Sequence, residues 1–334
     1  MHVFVTGGAG FIGSNFIRWV LRTQPDVTVT NFDKLTYAGN LDNLRDVDES
    51  RYRFVRGDIR DADAVREHLP GHDAVVNFAA ESHVDRSITG SEEFLTTNVL
   101  GAHVLFTAAR ECGIERFLHI STDETYGSIA EPGRFAEGDA LEPNSPYAVS
   151  KASADLLARA SRVTFDYPIT ITRTSNNFGP FHYPEKVVPL FITNLLDGEP
   201  VPVYGAGANV RDWTFVTDNC AAQWLALTEG EPGAVYNVGA GNEMTNLELT
   251  HRILEALGHG DEMIRHVADR PGHDLRYAVD TTRIRALGWK PDHDFDSALE
   301  ATITWYRDNE WWWRPLKQGG ATQRRGLLGA RAAQ

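Results

Sequence analysis

The sequence predicts an α/β fold: a doubly wound parallel sheet carrying a smaller α/β domain. Three observations lead there. An N-terminal apolar run enters a glycine-rich turn and then a helical pattern. Short β-rich runs alternate with helical patterns through about residue 175. Several of those runs are almost continuously apolar, as strands covered on both faces must be.

Each element supports this reading. His2 to Thr6 is a strand, followed by Gly7-Gly8-Ala9-Gly10-Phe11-Ile12-Gly13 and a helix over Asn15 to Leu21. Gly7 permits the tight turn, Gly10 lets backbone approach a pyrophosphate, and Gly13 lets helix and strand pack closely. In this context the glycines are a Rossmann-type dinucleotide fingerprint. The next strand, Val27 to Phe32, ends in Asp33, 20 residues beyond Gly13. An acid at that spacing binds a ribose 2′-hydroxyl and repels a 2′-phosphate, so NAD is expected over NADP. Tyr52 to Arg56 is a third strand, Asp61 caps a helix over Ala62 to Leu69, and Asp73 to Ala80 is a buried fourth strand. A long helix from about Glu92 to Cys112 leads into a fifth strand, Arg116 to Ile120.

Bulk properties narrow the class. A chain of 334 residues with 42% hydrophobic and 23% charged residues has enough length for one large or two medium globular domains. Its net charge of −14 argues against nucleic acid and anionic membranes as partners. Cys112 and Cys220 supply neither a disulfide framework nor a metal spacing, and the N-terminus shows no leader pattern, so a cytoplasmic protein without a metal is expected.

The fifth strand ends in Ser121-Thr122-Asp123-Glu124-Thr125-Tyr126-Gly127. Adjacent carboxylates at the sheet edge where ligands bind invite a division into one acid and one base. Further on, Ser145-Pro146 opens a helix that places Tyr147 and Lys151 on one face. A free tyrosine titrates near ~10, and a nearby ammonium is expected to lower that value. Ile169 to Arg173 is another strand, ending in a polar run that includes Asn176 and Asn177.

Beyond this point the alternation weakens. Short strands at Val201 to Tyr204 and Ala234 to Val238, with helices at Val187 to Leu196, Leu247 to Leu257 and Asp296 to Arg307, predict a second, substrate-binding domain. The expected division is a nucleotide-binding domain over 1–175 to which the chain returns around 208–232, and a substrate domain over 176–207 and 233–317. Trp311, Trp312 and Trp313 are read as packing the last helix or lining an interface, and 318–334 as a mobile tail.

Taken together, Thr6–Gly13, Asp33–Asn40, Ala79–Ser87, Ser121–Glu124, Tyr147–Lys151, Ser175–Asn177 and Asp269–Asp274 resemble the dTDP-glucose 4,6-dehydratases of the extended short-chain dehydrogenase/reductase superfamily. The resemblance spans about residues 1 to 317, and the Thr-Asp-Glu run separates it from related epimerases. Thr125, Thr174 and Phe178 stand where the pattern has Val, Cys and Tyr.

The resemblance implies NAD contacts from Phe11 and Ile12, from Asp33, Lys34, Leu35 and Thr36, and from Asp58 and Ile59 near the adenine. It adds Phe78, Ala79, Ala80, Glu81, Ser82, Thr97, Tyr147, Lys151 and Asn177. It implies a nucleoside-diphosphate sugar held by Ser82, Thr122, Asn176, Lys186, Val187, Pro202, Val203, Tyr204, Arg211, Asn246, Asp269, Arg270, Pro271, Gly272 and His273. The implied catalytic set is Thr122, Asp123, Glu124, Tyr147 and Lys151, oxidising the sugar at C4, eliminating water across C5 and C6, and reducing C6. A UDP-hexose dehydratase, a 4-epimerase or a decarboxylase on the same scaffold is the alternative, and a non-catalytic NAD-binding protein is the third reading. A homodimer through the helices near 92–112 and 146–165 is also implied.

Overall fold

The computed structural model describes residues 1–318, so nearly all of the expected tail lies outside the described residues. The first half alternates as expected. Strand β1 (His2–Thr6) leads to α1 (Phe11–Thr23), β2 (Thr28–Asp33), β3 (Tyr52–Arg56), α2 (Ala62–His68) and β4 (Ala74–Asn77). After α3 (Val84–Thr89), α4 (Glu92–Phe94) passes through a π-helical stretch, Leu95–Gly101, into α5 (Ala102–Glu111). Strand β5 (Arg116–Thr122), α6 (Pro146–Phe165) and β6 (Thr170–Thr174) follow.

The second half holds β7 (Asn176–Phe178), α7 (Val187–Leu196), β8 (Val201–Tyr204), β9 (Val210–Phe215), α8 (Val216–Thr228), β10 (Val235–Val238) and β11 (Glu243–Thr245). Then come α9 (Asn246–Leu257), β12 (Ile264–Val267), α10 (Thr282–Ala286) and α11 (Phe295–Asp308). The main sheet has seven strands in the order β10-β6-β5-β4-β1-β2-β3, all paired in parallel.

The strand period of two divides the core. Val3 and Val5 face α1 and α8, packing with Phe16, Ile17, Val20 and Cys220. Phe4, between them, points to the other face and joins Val65, Leu105, Phe106 and Ala158 from α2, α5 and α6. The same division holds for Val75 against Ala74 and Val76 on β4. With both faces covered, the sheet can be read only at its strand ends, and that is where the polar motifs lie.

The domain boundaries differ from the expectation in three places. Strand β9 pairs with β7 and β11 in a separate three-stranded sheet, so the chain re-enters the first lobe only with α8. It then stays through β10, which forms the sheet edge beside β6 and so belongs to the first lobe, not the second. Ile284 of α10 and Trp289 also pack into the first lobe, because their side chains complete the apolar layer that α8 begins. The remaining second lobe is built from the three-stranded sheet, the parallel β8–β12 pair and helices α7, α9 and α11.

Local chemistry sets the helix ends that matter. The Asp61 carboxylate accepts from the Asp63 and Ala64 amides at the start of α2. Helix α6 starts with the Ser145 hydroxyl accepting from Ala148 N at 3.1 Å, with Pro146 at its first turn, and stops at left-handed Asp166. A reciprocal Thr245–Glu248 capping box opens α9. Trp312 and Trp313 are buried in the second-lobe core; the indole of Trp312 donates to Asn43 Oδ1 at 2.8 Å and that of Trp313 to Tyr306 O at 2.7 Å. Trp311 is largely exposed, with the Arg45 guanidinium over its ring. The packing role expected of this triplet therefore falls on its last two members.

Candidate active site

A cleft of about 1000 Å³ runs along the C-terminal ends of the main-sheet strands and under the second lobe. Its floor at one end is the glycine turn. Gly7 has φ +68°, and a Cβ there would lie 2.5 Å from Ala79 N; one on Gly13 would lie 2.4 Å from Gly7 O. The absence of both side chains lets the turn close on the loop after β4 and lets α1 pack tightly against the turn. Asp33 is buried at the end of β2, where Oδ2 accepts from Ala9 N at 2.9 Å and Oδ1 from Leu35 N at 2.8 Å. Burial raises its pKa and the two amides oppose the rise. One carboxylate thus ties the glycine turn to the following loop and retains lone pairs for a hydroxyl.

At the centre, β5 stops because the chain turns into a 3₁₀ segment, Asp123–Tyr126, closed by Gly127 at φ +84°. The Thr122 hydroxyl accepts from Glu124 N at 3.3 Å and donates to Asp123 Oδ1 at the same distance. This turn holds Asp123 3% exposed. Burial, followed by the charge of Glu124, pushes the Asp123 carboxyl up to about 8. Glu124 is also raised by burial, but the cations Arg270, Arg211 and Lys186 pull it back toward the charged form. The pair is therefore divided: an acid that keeps its proton at neutral pH and a neighbour surrounded by positive charge.

Helix α6 brings Tyr147 and Lys151 to the same place. The Lys151 ammonium donates to Ile120 O at 2.6 Å; burial lowers it to about 8, against the Asp155 carboxylate, which holds it up. Thr122 lies beside the Tyr147 phenol and favours its charged form. Its phenol differs from expectation. Burial and the Glu124 charge push it above the ordinary tyrosine range, outweighing the opposing effect of Thr122. The reason is desolvation: a buried phenolate loses its water and sits near a carboxylate.

The cleft lining includes all five residues of the implied catalytic set. It also includes Gly7, Gly10, Phe11, Ile12, Gly13, Asp33, Lys34, Thr36, Asp58, Ile59, Phe78, Ala79, Ala80, Glu81, Ser82, Thr97 and Asn177 from the nucleotide side. From the second-lobe side it includes Asn176, Lys186, Val187, Pro202, Val203, Tyr204, Arg211, Asn246, Arg270 and His273. Four expected residues do not line it: Leu35, Asp269, Pro271 and Gly272. Leu35 sits at φ +58° and turns the loop back onto Asp33. Asp269 faces its own loop, with Oδ1 2.7 Å from His273 Nδ1 and accepting from Arg270 N, while Gly272 turns at φ +65°. Asp269 and Gly272 thus shape the loop that presents Arg270 and His273.

Other lining residues carried no assigned role from sequence: Tyr37, His83, Asp85, Arg86, His182, Glu185 and Trp213. His83, Asp85 and Arg86 lie in a motif already notable for charge just past a strand end, which was the available signal. Asn98 was not visible at all. It sits in the π-helical stretch, accepts from Glu81 N at 2.8 Å and donates to Glu81 O at 2.9 Å, fixing the loop after β4.

A glycine-turn nucleotide sheet with Tyr147 and Lys151 beside its β5 edge defines the class of extended short-chain dehydrogenases/reductases. More narrowly, the family model described as GDP-mannose 4,6 dehydratase matches residues 4–302, and the chain belongs to that family. The chain is 53% identical over 323 residues to a dTDP-glucose 4,6-dehydratase of Streptomyces niveus, covering 95% of this chain and 96% of the relative. It is 54% identical over 307 residues to the low-salt glycan biosynthesis protein Agl12 of Haloferax volcanii, covering 92% and 98%. Among solved structures, DesIV from Streptomyces venezuelae, a dTDP-glucose 4,6-dehydratase with NAD and TYD bound, superposes with a TM-score of 0.92 at 52% identity, covering 95% of this chain and 100% of that one.

Proposed function

We infer that the chain is an NAD-dependent dTDP-glucose 4,6-dehydratase, a hydro-lyase that converts dTDP-glucose to dTDP-4-keto-6-deoxyglucose. The observation that carries this reading is the divided carboxylate pair. Two adjacent carboxyls are buried at the end of β5: Asp123 is pushed up far enough to keep its proton, while the rise of Glu124 is opposed by Arg270, Arg211 and Lys186. An epimerase has no use for that division; an elimination requires it. The relatives named dTDP-glucose 4,6-dehydratase support the same substrate.

The residues present fit NAD. The glycine turn lines the cleft at the start of α1 and suits a pyrophosphate, and Asp33 suits a ribose diol. Ser121 Oγ and Asn177 Oδ1 are buried at the cleft without hydrogen-bond partners among the described residues. When bound, NAD supplies the oxidant for C4 and returns the hydride at C6.

The protein's own groups do the rest. Thr122 hydrogen-bonds the C4 oxygen, and Tyr147 accepts its proton as the ketone forms. In the protein alone this phenol keeps its proton; the step requires its phenolate, which the positive charges of the Lys151 ammonium and of a bound NAD⁺ would favour. The ketone acidifies C5–H, and Glu124 removes that proton. Asp123 protonates the C6 oxygen as the C–O bond breaks and water leaves. Glu124 then returns a proton to C5. Lys186, Arg211 and Arg270 line the cleft of an otherwise acidic protein and suit the diphosphate.

We read the enzyme as a cytoplasmic homodimer. No helix among the described residues is long and apolar enough to cross a membrane. Helix α6 exposes Val149, Leu156 and Val163, seven residues apart, beside exposed Leu95 and Leu100 of the neighbouring helical run. Such a stripe buries well against its own copy.

The test is incubation of the purified chain and NAD with dTDP- and UDP-hexoses, read by mass. A product of dTDP-glucose lighter by one water is expected. An isomeric product would establish an epimerase, and preference for a UDP-hexose would move the substrate assignment.

A further inference from the structure

Strands β8 and β12 run in parallel and in register, with Tyr204 opposite Val267. Tyr204 ends one strand, and the loop carrying Arg270 leaves the end of the other. Both side chains line the cleft at the second-lobe wall. Facing them across it is Asp85, near the start of α3 in the first lobe.

The Asp85 carboxylate is divided between these two partners. Tyr204 donates its hydroxyl to Oδ2 at 2.8 Å, and Arg270 Nη1 lies 3.4 Å from Oδ1. All three groups are partly withdrawn from solvent, with the Asp85 side chain 25% and the Arg270 side chain 16% exposed. The Arg270 Nε is buried and has no hydrogen-bond partner among the described residues. Asp85 thus occupies one end of the guanidinium and leaves other donors for a ligand.

We propose that Asp85 is a positioning residue for the nucleotide half of the substrate, clamping the Tyr204 ring and the Arg270 guanidinium into one preformed wall. The proposal rests on the dehydratase reading above and extends it to a residue with no assigned role. A phenol anchored at its hydroxyl has its ring plane set, so it presents a flat face for a nucleobase at little entropic cost. An arginine tethered at one nitrogen presents its remaining N–H groups in a fixed fork to phosphate oxygens. The carboxylate also limits the charge of the wall, which discriminates against substrates with additional negative charge at this end. Two neighbouring contacts hold the same segment in place: Lys186 Nζ donates to Ser82 O at 2.8 Å, and Arg86 Nη2 to Glu185 Oε2 at 2.8 Å. Because the clamp acts on the nucleotide rather than the hexose, it affects binding more than chemistry.

The experiment compares wild type, Asp85→Ala, Asp85→Asn, Tyr204→Phe and the Asp85→Ala/Tyr204→Phe double variant, all loaded with NAD. It measures KM and kcat for dTDP-glucose and the Kd for dTDP by calorimetry. For Asp85→Ala, KM and Kd rise about tenfold or more while kcat changes far less, the loss expected for a charge-assisted hydrogen bond. Asp85→Asn retains an acceptor for Tyr204 and falls between wild type and Asp85→Ala. The double variant binds dTDP no worse than Asp85→Ala, because the tyrosine hydroxyl acts through the carboxylate. A Kd unchanged in Asp85→Ala, additive losses in the double variant, or a fall confined to kcat would each overturn the proposal. The dehydratase reading fails separately, if wild type does not dehydrate dTDP-glucose; the dTDP binding arm still reports on the clamp.

Discussion

Replacing Asp123 by Asn removes the acid assigned to the leaving hydroxyl while keeping its size and its contact with Thr122. The structure sets the magnitude. A carboxyl lifted from the usual 3.8 to about 8 is roughly nine-tenths protonated at pH 7 and roughly one-tenth at pH 9. Wild-type water elimination therefore loses a factor of roughly ten over that interval from Asp123 alone. Lys151 also titrates at about 8, and its ammonium is lost over the same range. The two are separable because Lys151 serves C4 oxidation, whereas Asp123 serves only the departure of water. Exchange of the C5 hydrogen with deuterated solvent needs oxidation and Glu124 but not Asp123. Asp123→Asn is expected to keep that exchange, with its basic limb near pH 8, and to lose water elimination by roughly 10²- to 10⁴-fold, the range of a general acid. Both are read by mass on one reaction mixture. Elimination at the wild-type rate in Asp123→Asn, or a wild-type elimination limb no steeper than the exchange limb, would refute the division of labour.

Three further outcomes follow from the geometry. Gly13→Ala places a methyl 2.4 Å from Gly7 O, so the turn must shift; a cost of about 1–3 kcal/mol and loss of co-purifying NAD are expected in thermal unfolding and nucleotide release assays. Asp155→Asn breaks a buried pair whose oxygen lies 2.9 Å from Arg173 Nε, costing about 3–5 kcal/mol in denaturant unfolding. It also removes the charge that holds the Lys151 ammonium up, so the basic limb of activity moves to lower pH. Leu156→Arg puts a charge in the middle of the exposed α6 stripe and should halve the sedimenting mass, while an unchanged mass would remove the stripe as the dimer face.

The first lobe was legible because its signals are local. Period-two and continuous apolar runs mark β1 to β6, and the glycine spacing of the first turn is a local pattern, even though Gly7 is required by the distant backbone of Ala79. The limits came where tertiary pairing overrides local pattern. Strand β10 looks like any short strand, and nothing within Val235–Val238 says that it joins β6 rather than the smaller sheets. The π-helical stretch was hidden because its apolar spacing still reads as one helix; only the Asn98 clamp on Glu81 reveals its purpose. The site shows the same contrast. Asp123 and Glu124 were readable as a pair, but their unequal electrostatics depend on Arg211, Arg270 and Lys186, which arrive from the other lobe. For Tyr147, spacing correctly placed Lys151 nearby yet missed the desolvation that outweighs it.

The segment around Trp312 has a consequence for how the protein can be divided. Trp312 sits in the second-lobe core, yet its indole donates to Asn43, which in turn donates to Ala9 O of the glycine turn. The segment around Trp312 is thereby fastened to the cofactor end of the first lobe. Since α8, β10 and α10 also return to that lobe, neither half is a continuous stretch of sequence. Cutting the chain between the lobes, for example between β6 and α7, leaves the first-lobe core without α8, β10 and α10. Cofactor cradle and substrate wall are accordingly inherited, folded and lost together.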